Sequence, residues 1–256
     1  MQDLEGTRAS IGQPGFDGHH VGFAVLPNRA FDLIFLDVCG SRSRVARPIV
    51  EDGVYCTFEF GPPTQRVQII LPDLRDIRSA WVSVDDAERS ARAAMNDGTY
   101  AAGPPDATLL VETQWTWLQQ VLKREADVRL FASSIQFASE GRGWECWANF
   151  PSEKRRLMDV IRTTRAQGVV VVSGDAHFAE ACRQDDGAPY SIWDVTSSGL
   201  TESWPYPGPS RNRVPGQLMT GCNFGVLDFA WQPISQVEYS LCSADGSAGL
   251  NGRIPL

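Results

Sequence analysis

No C-x-x-C pair occurs among the six cysteines, Cys39, Cys56, Cys146, Cys182, Cys222 and Cys242. That removes the usual spacing signals for a structural zinc site or a dithiol redox motif, and the thiols read as small buried apolar groups. Their even number permits disulfides but pairs none of them. Lysine is nearly missing, present only as Lys123 and Lys154, so the basic side chains are almost all arginine, a set of fixed forked donors. Acidic groups outnumber basic ones, 31 to 23, and the net charge of −8 excludes broad electrostatic capture of nucleic acid or an anionic membrane. No nucleic-acid-binding patch is expected, and an anionic substrate needs a local pocket. No apolar run reaches the roughly 20 residues of a membrane helix, so no membrane segment is expected. The opening MQDLEGTRASIGQPG has no basic stretch followed by an apolar run, so no signal peptide is visible and the chain reads as soluble. Neither G-x-G-x-x-G nor G-x-x-x-x-G-K-[ST] is present, which argues against dinucleotide or NTP binding. The hydroxyl runs Ser133-Ser134 and Thr196 to Thr201 lack the G-x-S-x-G elbow of a serine hydrolase.

What remains has the make-up of a packed chain. With 43% hydrophobic, 10% aromatic and 21% charged residues over 256 positions, disorder and low-complexity behaviour are excluded, and the length allows one large domain or two small ones. Alternation at Tyr55 to Phe60, the break Gly61-Pro62-Pro63 and the run Arg66 to Leu71 predict a hairpin. Ser79 to Gly98 suits an exposed helix or a mobile loop. Trp115, Leu118 and Leu122 at helical spacing predict a helix over Glu112 to Arg124, and Asp127 to Ala132 a strand. After the aromatic loop GWECWANFP, a helix is expected from Ser152 to Gln167, with Ser152 as N-cap and Gly168 as stop. Val169 to Val172 suits a strand buried on both faces. Further strands are expected at Ser191 to Thr196, Phe224 to Trp231 and Val237 to Cys242, and this mixture indicates a layered α/β architecture.

The most informative segment is Ser173-Gly174-Asp175-Ala176-His177, directly after that buried strand. Ligand sites of open α/β sheets collect beyond the carboxyl ends of strands. Asp175 and His177, two apart, suit a shared metal or phosphate, though a cap at Asp175 and a hydrogen-bonded surface histidine explain the spacing equally well. Asp73-Leu74-Arg75 also follows a strand. Its carboxylate suits a metal and its guanidinium a phosphate, with an ordinary surface ion pair as the simpler reading. Asp17-Gly18-His19-His20 holds two of the three histidines, a metal-ligand pattern in a region whose glycines equally suggest a solvated loop.

In order along the chain, DGVYCTFEFG, IILPDLRDIRS, QWTWLQQVL, RLFASSIQFASEGRGWECWANFPSEKRRL, VVVVSGDAHFAE, YSIWDVTSSGLTESW and NFGVLDFAW resemble the alkaline phosphatase D (PhoD-like) family of calcineurin-like metallophosphatases over residues 50 to 232. The resemblance implies a four-layer α/β/β/α sandwich with mixed sheets, expected to lack its N-terminal strands. It implies a single domain over 1–256 whose first fifty residues are degenerate or poorly ordered. It also implies hydrolysis of a small phosphate mono- or diester by a metal-activated water, with divalent or trivalent ions such as calcium, iron, zinc or manganese. Carried over, Asp175, His177 and Asp73 match metal ligands, and Arg75 and His177 catalytic groups. Arg75, Asn149 and Trp144 frame the substrate. The segment Phe16 to Gly22 aligns with W-D-D-H-D-x-G, keeping Asp17 and His19 as ligands and replacing two carboxylates by Gly18 and His20. Losing part of a dinuclear ligand set leads to the alternative reading, an inactive remnant that binds or self-associates. Two geometric expectations follow. Asp175 and His177 should face a cleft shared with Asp73 and Arg75, and Trp144, Trp147 and Phe150 should pack as its wall or against the helix after it.

Overall fold

The computed structural model describes residues 20–23, 53–140, 143–231 and 235–256. Its strands are β1 (His20–Phe23), β2 (Cys56–Phe60), β3 (Val67–Leu71), β4 (Val82–Ser83), β5 (Tyr100–Ala101), β6 (Val128–Ser133), β7 (Val169–Ser173), β8 (Ala179–Gln184), β9 (Ile192–Ser197), β10 (Arg213–Met219), β11 (Asn223–Ala230), β12 (Gln236–Ser243) and β13 (Ala248–Pro255). The helices are α1 (Asp86–Ala93), α2 (Glu112–Leu122) and α3 (Pro151–Thr164).

Seven strands form one mixed sheet in the order β10-β8-β9-β7-β6-β3-β2. Its centre, β3, β6, β7 and β9, is parallel, while β2, β8 and β10 pair antiparallel. Parallel neighbours need long crossovers, and α2 and α3 supply those from β3 to β6 and from β6 to β7. All five residues of β7 are buried, which explains the unbroken β-branched run Val169 to Val172. On one face, Ile70, Phe131 and Val171 pack on Trp115, Leu118 and Val121 of α2 and Leu157 and Ile161 of α3. On the other, Ile69, Leu130, Val170 and Val195 pack on Leu227, Phe229, Val237 and Leu241, which belong to a four-stranded antiparallel sheet, β1-β11-β12-β13. Helices, large sheet and second sheet make three of the four expected layers, in the expected order.

Two local readings are corrected. Helix α3 starts at Pro151, with Phe150 rather than Ser152 at the N-cap, because proline at the first helical position gives up no needed N–H. Its C-cap is Arg165 in the left-handed conformation, ahead of Gly168. Between Ser79 and Gly98, the helix is α1. Asp85 caps it through Glu88 N, 2.9 Å away, and none of its residues is buried. The expectation that residues 1–50 are poorly ordered falls outside the described residues, save for His20–Phe23.

Glu153 joins α3 to the chain ahead of α2. Buried within the core, its Oε2 accepts from Leu109 N and Leu110 N at 2.9 Å and from Trp115 Nε1 at 3.1 Å. Glu153→Ala strands three buried donors, each costing about 1–3 kcal/mol, and should destabilise the fold by roughly 3–5 kcal/mol once partial relaxation is allowed. Glu153→Gln keeps an acceptor oxygen and should cost less than half as much. Urea unfolding of the two variants measures this, and equal midpoints would refute it.

Candidate active site

The site stands where β3, β7 and β9 end. Beyond Ser173 the chain turns sharply, with Asp175 at φ 67° and His177 at φ 58°, both in the left-handed region that side chains other than glycine avoid. Tertiary bonds hold the turn. His177 N donates to Ser198 Oγ at 2.8 Å, and Trp204 N donates to the His177 carbonyl at 2.6 Å. Strain of this kind persists only where surrounding contacts over-determine it, and it gathers at functional sites.

Arg75 reaches this turn from the segment after β3. Its Nη2 lies 2.9 Å from Asp175 Oδ1 and its Nη1 2.8 Å from Glu145 Oε2, so one guanidinium bridges two carboxylates from different segments. Burial first, and then the neighbouring Asp175 charge, push the Glu145 carboxyl above its ordinary value, while Arg75 pulls it down. The His177 ring faces Glu202, with Nδ1 3.9 Å from Oε2.

Asp73 sits two residues before Arg75, but its carboxylate is spent on the chain around it. Oδ2 accepts from Val54 N at 2.8 Å, and Oδ1 accepts from Arg75 N at 2.9 Å and Asp76 N at 3.1 Å. Gly53 permits this closeness, since at φ 127° an added Cβ would stand 3.0 Å from Asp73 Oδ2. Asp73 therefore aims Arg75 by shaping its loop. Asn149 is likewise turned inward. Its Oδ1 accepts from Cys146 N at 2.8 Å, and its Nδ2 donates to Ala101 O at 3.3 Å, closing the short 3-10 turn Trp147–Asn149.

The three aromatic residues of that loop separate. Trp147 and Phe150 are core residues, Trp147 donating through Nε1 to Ser133 Oγ at 3.0 Å. Trp144 is 47% exposed and meets Trp204 edge-on, with ring centroids 6.2 Å apart. Tyr206 extends this ledge from Trp204. Because Trp144 adjoins Glu145 and Trp204 is tied to His177, the ledge borders the Arg75–Asp175 pair.

Beneath the turn lies a buried polar network. Asp194, fully buried, accepts from Phe137 N at 2.7 Å and Ala138 N at 2.8 Å through Oδ2, and from Ser173 Oγ at 2.6 Å through Oδ1. Burial pushes its carboxyl up to about 6 against these donors. Glu180 accepts from Gln136 Nε2 at 2.7 Å and from Arg213 Nε at 2.6 Å.

Among the described residues, no group of three or more His, Cys, Asp or Glu side chains is placed to hold a metal ion. Asp175 is engaged by Arg75, the Asp73 oxygens are taken by backbone donors, and Asp17 and His19 lie outside the described residues. By themselves, the described side chains do not fit a metal centre. Glu145, Glu202, Ser198 and Trp204 join the site without having been singled out by the sequence reading. All four lie in the aromatic loop or in the T-S-S-G-L-T-E-S-W stretch.

A family model described as PhoD-like phosphatase matches residues 42–220. No curated protein matches the sequence. Among solved structures, that of PhoD is similar at 16% identity and a TM-score of 0.51, covering 78% of this chain and 43% of that one. Purple acid phosphatase PPD1 from seeds of yellow lupin (Lupinus luteus) is similar at 11% identity and a TM-score of 0.43, covering 78% of this chain and 32% of that one. The chain thus spans less than half the length of either. At such identities the likeness to PhoD speaks for the fold alone, and the expected mixed α/β sandwich of the metallophosphatase type is the fold observed.

Proposed function

Since the chain belongs to the PhoD-like phosphatase family, we propose that it hydrolyses small phosphate esters in the cleft between the Asp175–His177 turn and the Trp144–Trp204 ledge. The observation that carries this reading is the pairing of Arg75 with Asp175 beyond the ends of β3 and β7, strands of one parallel group. A forked guanidinium grips two phosphoryl oxygens and offsets the charge that builds on them. Asp175 and Glu145 set the plane of the fork, and Asp73 sets the loop that presents it. As a water oxygen bonds to phosphorus and the bond to the leaving oxygen breaks, His177 passes a proton to the leaving oxygen and the proton that the water gives up replaces it. Trp144, Trp204 and Tyr206 offer flat apolar surface to an organic group of the ester, which favours a diester over a bare monoester. The family resemblance adds metal ions of the calcium, iron, zinc or manganese kind. They enter the proposal as a question of composition, answered by elemental analysis of the purified protein.

A second reading follows from the missing three-ligand cluster among the described residues and from the exposure of Trp204 and Tyr206 beside Trp144. It is that of a non-catalytic, self-associating module. One experiment separates the two: hydrolysis of an aryl monoester and a bis-aryl diester, before and after chelation, with sedimentation run in parallel. The proposal expects turnover, faster with the diester. Folded protein that associates and turns over neither ester favours the module.

A further inference from the structure

A cavity of about 490 Å³ lies at the end of the same sheet opposite Asp175. Thr64 and Arg66 ahead of β3, Lys123 and Arg124 behind α2, Arg129 in β6 and Arg165 behind α3 line it. It faces the amino ends of the parallel strands, whereas Asp175 follows their carboxyl ends. Five residues of β7 at roughly 3.3 Å each keep the two places about 17 Å apart.

Charge distinguishes this cavity from the rest of the molecule. Five cationic residues line it against two acidic ones, Glu125 and Asp127, a local excess of three in a chain of net charge −8. Arg124 is offset by Glu59, 3.4 Å away. Arg66, Lys123 and Arg165 form no ion pair with any described residue. Arg129 is 5% exposed. Its guanidinium donates to the carbonyls of Ala126, Gln167 and Arg124 at 2.9, 2.7 and 2.6 Å, its Nε has no partner, and it forms no ion pair with a described carboxylate. Burial holds the Arg129 guanidinium below its ordinary pKa, against the nearby Tyr190, Asp127 and Glu59, and an anion in the adjoining space supplies a further counter-charge.

Cations at helix C-termini are commonplace, because they complement the helix dipole. Lys123 and Arg165, the C-caps of α2 and α3, fit that explanation, but Arg66 and Arg129 do not. The backbone adds a separate mark. Among the described residues five other than glycine have positive φ, of which Asp175 and His177 belong to the candidate active site and Thr64 (70°) and Arg165 (57°) line this cavity. Glycine is the undemanding choice for a left-handed helix cap, so arginine stands there at a cost to the fold.

We propose that this cavity binds a small diphosphate-bearing anion, held by Arg66, Lys123 and Arg165 and favoured by the Arg129 charge beneath it. Cationic heads from three chain segments, Arg66 held only by the Glu125 carbonyl at 3.5 Å, suit a multivalent anion better than a single phosphate, and the volume is in the range of small-molecule sites. The inference does not rest on the hydrolytic reading.

Methylenediphosphonate, which hydrolysis does not consume, is the probe, titrated calorimetrically at low salt into wild type and the variants Arg165→Gly, Lys123→Gln and Arg75→Gln. Wild type should bind one equivalent with a dissociation constant below about 1 mM. Arg165→Gly and Lys123→Gln should each weaken binding about tenfold, while Arg75→Gln leaves it intact. Arg165→Gly should also keep or raise the melting temperature, since glycine relieves the strained cap. A nucleoside diphosphate run alongside distinguishes an organic source, if it binds more tightly, from an inorganic one. Absence of saturable binding to wild type, or loss through Arg75→Gln but not through Lys123→Gln, overturns the proposal.

Discussion

Replacing Arg75 by Gln should lower kcat/KM for ester hydrolysis by about 10²–10³-fold, the usual loss when one preorganised donor to a developing charge is removed. The effect falls on chemistry rather than folding, because the side chain is one-third exposed rather than packed in a core. Arg75→Lys should recover little. A single ammonium cannot hold Glu145 and Asp175, which the two guanidinium nitrogens reach at 2.8 and 2.9 Å, and also present a fork to phosphate. Removing the guanidinium also leaves Glu145 under burial and the Asp175 charge, the two influences that push its carboxyl up. Steady-state kinetics with urea midpoints as the folding control make the measurement. Activity within threefold of wild type, at unchanged stability, would remove Arg75 from the mechanism.

A comparably large effect, on stability, is expected at Asp194. Its folded-state pKa of about 6 stands above the ordinary 3.8, so between those values the folded state binds more protons than the unfolded one. Its contribution is therefore most favourable below pH 3.8, declines as pH rises through that window, and is constant above about 6. Two units correspond to roughly 3 kcal/mol. Asp194→Asn cannot ionise, yet its amide oxygen still accepts from Phe137 N and Ala138 N and its NH₂ faces Ser173 Oγ. It should match or exceed wild-type stability at pH 7 and lose the decline between pH 4 and 6. Asp194→Ala orphans three buried donors and should cost about 3–5 kcal/mol near pH 4, a gap that narrows toward pH 7 as the wild-type contribution declines. Chemical unfolding from pH 4 to 7 measures both. An Asn variant with the wild-type pH slope would exclude Asp194 as its source.

The parts of this structure that could be read from the chain are those whose causes are local. β7 is legible because a strand buried on both faces must be apolar throughout, and Val169 to Val172 is. The β2–β3 hairpin is legible because Gly61-Pro62-Pro63 stands between an alternating run and an apolar one. β8 is not legible: Ala179–Gln184 carries Glu180, Arg183 and Gln184, and the partners that satisfy Glu180 come from Gln136 and Arg213. The same distinction runs through the site. That Asp175 and His177 stand at a strand end follows from what precedes them. That Asp73 spends its oxygens on Val54, Arg75 and Asp76, while Glu145 joins Arg75, is decided by segments as much as 70 residues apart. Trp147 and Trp144 are three positions apart in one loop, yet only Trp147 has a buried oxygen, Ser133 Oγ, for its indole N–H.

The second sheet carries a consequence for the order in which the molecule assembles. Strands β11, β12 and β13 are joined by short turns and can zip together early. β1 pairs with β11 through Phe23 opposite Gly225, contacts that close a loop of roughly 200 residues. Closing such a loop in an otherwise unfolded chain costs about 5 kcal/mol by the logarithmic rule, whereas β11, β12 and β13 meet across only a few residues each. β1 therefore docks late, as the fourth strand of a meander already built. Refolding followed by pulsed hydrogen exchange should find its amides protected after those of β12.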